Sequence, residues 1–116
     1  MNLSRSQKQG VEKIAEKYQL KLVLLFGSQA VGGTHGESDI DIAYLPKRPF
    51  DFEEEYRLNY EFTNTFQKDR LDTVDITKAP PLLLYAIFQH PQVLFQENEL
   101  TFPAYQTYSF KKYVET

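Results

Sequence analysis

Cysteine is absent from the 116 residues, which rules out disulfides and thiolate zinc sites. There are two histidines, at positions 35 and 90; His35, in the glycine-rich stretch, has no second His or Cys near it, so metal ligation by it is not expected. No apolar run is long enough to cross a bilayer. The opening "MNLSRSQKQG" lacks the apolar segment of a secretory signal, so no membrane association and a cytoplasmic location are the expectations. A surplus of positive charge is missing too: 13 basic side chains face 16 acidic ones, a net charge of −3. A dedicated nucleic-acid binder needs a basic surface to neutralise phosphates, so direct nucleic-acid binding is not expected. Repeats and low-complexity tracts are absent as well.

What remains is an apolar and aromatic chain, 41% hydrophobic and 15% aromatic, enough for a packed core in one domain over 1–116. Val11, Ile14, Ala15 and Tyr18 recur at helical spacing, predicting a helix over about 4–18 with Ser4 or Ser6 as its cap. Gly10 is a mild liability inside it. "KLVLLF" (21–26) reads as a buried strand, 27–38 as a Gly/Ser-rich loop, and the alternating "DIDIAYL" (39–45) as a second strand. Phe52, Tyr56 and Tyr60 form one i,i+4 row and Leu58, Phe62 and Phe66 another; both are expected in the core of a helix over about 51–69, opened by an Asp51/Glu54 capping box. "LDTVDI" (71–76) reads as a third strand, "PPLLLYAIFQH" (80–90) as a helix entered through proline, "QVLFQ" as a short strand and 102–115 as a terminal helix. The order α-β-β-α-β-α implies an α/β (α+β) domain around a small mixed sheet flanked by helices. The aromatic terminal helix, with Tyr105 and Tyr108, is a candidate for core packing, for a protein interface or for stacking a nucleobase.

Chemistry concentrates around "FGSQAVGGTHGESDID". On a strand, Asp39 and Asp41 share one face with Cα atoms about 6.6 Å apart, while Ile40 and Ile42 face the core. Asp75, between Val74 and Ile76, joins them if its strand is the neighbour. Asp72 has the opposite parity and reads as a turn or edge residue. Carboxylates about 4 Å apart repel by roughly 4 kcal/mol per pair at an effective dielectric near 20. Such a cluster calls for a cation, and all-oxygen ligands suit Mg²⁺. Two bridged ions serve phosphoryl or nucleotidyl transfer. Gly27 allows close backbone approach to a phosphate, and Ser28 offers a hydroxyl and an N–H to it.

Gly27-Ser28, ten intervening residues and then Asp39-Ile40-Asp41 resembles the GS-x10-DxD motif of the polymerase-β-like nucleotidyltransferase superfamily. The apolar run before it, "SDIDIAYL" and the later "VDI" are similar to that family as well. The short chain resembles its minimal nucleotidyltransferases, which pair with HEPN-domain proteins in toxin–antitoxin modules of the MntA–HepT kind. The resemblance implies an antitoxin that forms a hetero-oligomer with a HEPN-type toxin and transfers AMP from ATP to a toxin tyrosine with two Mg²⁺ ions. It implies Gly27 and Ser28 at the triphosphate, Asp39 and Asp41 on both metals, and Asp75 on the catalytic metal, assisting deprotonation of the attacking hydroxyl. Gln29 and Val31 stand where the family often has arginine; Lys47, Arg48, Lys68 and Arg70 are the other candidates for positive charge. Two rival readings remain: a binding module that neutralises its partner by occlusion alone, and a small-molecule nucleotidyltransferase of the aminoglycoside-modifying type.

Overall fold

The structure, a computed structural model, describes residues 1–27 and 40–115. Its elements are α1 (Arg5–Lys17), β1 (Leu20–Phe26), β2 (Ile40–Pro46), α2 (Phe52–Phe66), β3 (Leu71–Asp75), a 3₁₀ turn (Ile76–Lys78), α3 (Pro81–Gln89), β4 (Gln92–Gln96) and α4 (Thr101–Glu115). The four strands form one sheet in the order β3-β2-β1-β4. β1 is antiparallel to both β2 and β4, whereas β2 and β3 run parallel. The α+β fold with a mixed sheet is therefore the one expected.

β1 lies inside the sheet with helices over both faces, which is why its sequence is a continuous apolar run rather than an alternation. Val23 and Leu25 point to the face covered by α1 and α2; Leu22 and Leu24 point to the face covered by α3 and α4. β2 divides the same way. Ile40, Ile42 and Tyr44 join the first core, Ala43 and Leu45 the second. Ser4 caps α1 and Asp51 caps α2, each in a two-way capping box with the residue three positions on, Gln7 and Glu54.

Two local readings of the sequence are corrected. Only one of the two apolar rows of α2 is core. Leu58, Phe62 and Phe66 are buried, but Phe52, Tyr56 and Tyr60 are 85%, 70% and 58% exposed. The rows are about 120° apart around the helix, and a helix lying on a sheet face buries only the stripe turned toward it. Gly10, expected as a liability, is where α1 meets α2. A Cβ there would stand 2.7 Å from Thr65 Cγ2, so the missing side chain permits the helix contact.

Candidate active site

The site builds up at one end of the sheet, where β1 finishes and β2 and β3 begin. Phe26 is the antiparallel partner of Asp41, and Asp41 is the parallel partner of Asp72. Residues directly opposite in adjacent strands share a face. Phe26, Asp41 and Asp72 therefore project to the α3/α4 side, where Phe26 and Val74 border the second core. Gly27 follows at once with φ +82°, and a Cβ on it would come within 2.8 Å of Asp41 Oδ2. The left-handed backbone favours glycine here, and the missing Cβ leaves room for the Asp41 carboxylate beside it.

Asp72 is exposed. Its strand is held in register from the side by Asn59 of α2, whose amide donates to the Leu71 carbonyl (3.0 Å) and to Thr73 Oγ1 (3.1 Å). The Ile40 amide donates to the Arg70 carbonyl at 3.3 Å, which closes the β2/β3 ladder at the site end. Arg70 thus stands next to the carboxylates. Lys47 and Arg48 do not: they follow β2 at the opposite end of the sheet, where Arg48 pairs with Glu54.

Asp75 is not brought together with Asp41. Its register partner is Tyr44, and its parity puts it on the α1/α2 face. It is 6% exposed. Its Oδ1 accepts from the Thr77 amide (2.9 Å) and hydroxyl (2.6 Å), capping the turn that ends β3. Its Oδ2 has no hydrogen-bond partner among the described residues. Beside it the Tyr44 hydroxyl approaches Glu55 at 3.5 Å, and Glu55 accepts from Lys78 at 2.9 Å. Burial, and then the negative charge of Asp75 and Glu55, push the Tyr44 hydroxyl well above the usual tyrosine range.

The carboxylate that faces Asp41 is Asp72, which parity counted from Val74 and Ile76 had set aside. The sheet is covered on both faces, so the apolar flanks Val74 and Ile76 do not mark the side away from the site: both pack into the second core, on the same side as Asp72. A signal was present: both strands open on an apolar residue followed by Asp, Ile40-Asp41 and Leu71-Asp72. Ser28 and Asp39, the other two expected site residues, lie outside the described residues, as do Gln29 and Val31. Among the described residues there is no cluster of three or more His, Cys, Asp or Glu placed to hold a metal.

The pattern of the polymerase beta nucleotidyltransferase family matches residues 9–100, so the chain belongs to that family of enzymes. No curated protein matches it. Among solved structures it is similar to a toxin–antitoxin complex with AMP-PNP, at 24% identity and TM-score 0.80, covering 93% of this chain and 87% of that one. A toxin–antitoxin MntA–HpeT mutant with two Asp→Glu substitutions is similar at 21% identity and TM-score 0.81, with 93% and 87% covered. The tri-AMPylated Shewanella oneidensis HEPN toxin in complex with its MNT antitoxin is similar at 21% identity and TM-score 0.75, with 94% and 85% covered. At these identities the likeness is one of fold.

Proposed function

We propose that the chain transfers AMP from ATP to a hydroxyl, a tyrosine in the first instance, of a HEPN-type toxin with which it forms a complex, and so acts as the antitoxin. The observation that carries this reading is the in-register pair Asp41 and Asp72 beside Gly27, in a chain of the nucleotidyltransferase family. The fold neighbours that hold an ATP analogue and an AMPylated toxin support the choice of donor and acceptor.

The donor set fits a hard divalent ion. Asp41 and Asp72 stand on adjacent strands about 4.8 Å apart, both offer only oxygen, and the side of Asp41 toward Gly27 carries no Cβ. Asp39, two residues before Asp41, would be the third ligand. Asp72 thus takes the place that the motif reading gave to Asp75. Bound Mg²⁺ supplies charge neutralisation at the phosphates and acidifies the attacking hydroxyl. Gly27 lets the triphosphate approach the backbone, and Ser28 would donate to it. The acceptor oxygen attacks the α-phosphorus in line; the bond to the β-phosphate oxygen breaks, pyrophosphate leaves, and the hydroxyl proton passes to a carboxylate of the pair. The residues act by positioning and by fixed charge.

Intact-mass spectrometry of the cognate HEPN protein, after incubation with this chain, ATP and Mg²⁺, tests the reading. Mass gains in whole AMP units, absent with Asp39→Asn/Asp41→Asn, are expected. A stable complex with no mass gain would instead establish neutralisation by occlusion.

A further inference from the structure

A cavity of about 370 Å³ opens on the α3/α4 side, lined by Ile76, Thr77, Ala79, Leu84, Ala104, Tyr105 and Tyr108. None of these residues has a part in the transfer chemistry above. The cavity shares its sheet face with the carboxylate pair: Asp72, Val74 and Ile76 follow one another along that side, and Val74 and Ile76 belong to the same apolar cluster as Phe26 and Tyr105. Four residues of extended chain set Ile76 about 13 Å beyond Asp72. A nucleotide whose phosphate is held through a cation at that end points its base along this face toward the cavity. The ground between is apolar and part-buried, formed by Phe26 and Val74. The walls suit a flat ring. Tyr105 and Tyr108 meet edge to face with centroids 6.2 Å apart, and Leu84 and Ile76 are buried at the floor. Thr77 supplies a polar edge, its hydroxyl proton already given to Asp75 Oδ1, so its oxygen can only accept.

The geometry points to this cavity as the seat of the nucleobase, with α4 tyrosines as the stacking partners and the phosphates at Gly27, Asp41 and Asp72. The inference rests on the nucleotidyltransferase reading of the site and adds to it a base-binding half built from residues after β3. It predicts that nucleotide affinity divides into two separable parts. The phosphate part is retained by inorganic tripolyphosphate; the base part is not.

Calorimetric titration of the full chain with Mg²⁺-ATP and with Mg²⁺-tripolyphosphate separates them. Two variants act on the cavity in opposite ways: Tyr108→Ala removes a wall from an exposed position, and Ala104→Phe fills the space from another. Each is expected to weaken ATP about tenfold, the order of a lost base–aromatic stack, and to leave tripolyphosphate unchanged. ATP affinity untouched in both variants would overturn the base site while leaving the phosphate site standing. So would wild-type protein that binds ATP no more tightly than tripolyphosphate, or equal weakening of both ligands. Wild-type protein that binds neither ligand would overturn the nucleotidyltransferase reading itself, and this inference with it.

Discussion

Asp72 and Asp75 are three residues apart and do different work. Asp72 faces Asp41 across a parallel pair; Asp75 looks the other way and holds Thr77 by two hydrogen bonds. The two sites are separable by substitution. Asp72→Asn is expected to lower AMP transfer by roughly a hundredfold or more, the scale of losing a charge placed at the reacting phosphate, with the unfolding midpoint unchanged. Asp75→Ala is expected to retain transfer at moderate temperature but to lose about 1–3 kcal/mol of stability, since the Thr77 donors lose their acceptor. Urea denaturation and a transfer assay on the same preparations decide between them. An inactive but stable Asp75→Ala protein would return that residue to the metal site. Gly27 belongs to the same scale, because its positive φ favours glycine and its missing Cβ leaves room for the Asp41 carboxylate.

Among the helices, the α1–α2 contact shows how a poor helix former can be required. Alanine at position 10 gains about 1 kcal/mol of intrinsic propensity over glycine. Against that, its Cβ would meet Thr65 Cγ2 at 2.7 Å, closer than packed atoms approach. Gly10→Ala is therefore expected to destabilise the wild-type background. In a Thr65→Ser background, where Cγ2 is gone, the same change is expected to stabilise. A double-mutant cycle by chemical denaturation reads the difference as a coupling energy; strict additivity would show that the helices shift apart at no cost. The second aromatic row of α2 belongs here as well. Its i,i+4 spacing announced a helix and did so correctly. The spacing carried no information about which of two apolar rows the sheet would take, and Phe52, Tyr56 and Tyr60 ended outside.

Across the whole molecule, two tyrosines tie neighbouring elements together while holding their protons tightly. Tyr18 donates to Glu61, joining α1 to α2. Burial, then the hydrogen bond to Glu61 and its charge, push its hydroxyl up to about 12. Tyr44 joins β2 to α2 and stacks on Phe50 with centroids 5.9 Å apart, and its hydroxyl is pushed up further still. A group whose proton is held more tightly folded than unfolded stabilises fully below its unfolded value, near 10 for tyrosine. That contribution is lost as pH rises through the folded value. Stability is therefore expected to fall from about pH 10 through about 12, and more gently in Tyr44→Phe. Denaturant midpoints collected across that range measure it; a midpoint flat to pH 12 would contradict the buried-hydroxyl account.

The order of elements was legible in the sequence because each rests on local chemistry. Apolar periods of two and of 3.6, the Ser4 and Asp51 caps, and the proline at the start of α3 act over a turn or less. The spacing from Gly27 to Asp41 was legible for the same reason: the tight turn and the two carboxylates lie within fifteen residues. The pairing of β2 with β3 was not, since it depends on a register set 31 residues apart by the length of α2 and by Asn59 on the strand edge. One position of register exchanges the faces of a whole strand, and in a sheet with a core on each side the apolar neighbours of an aspartate do not say which face it takes. The sequence by itself determined that an aspartate stands at the start of β2, beside the turn at Gly27, in a mixed sheet. Which aspartate of "LDTVDI" faces Asp41, which side of α2 meets the sheet, and where a cavity opens beside the site were decided only when strands from distant parts of the chain came into contact.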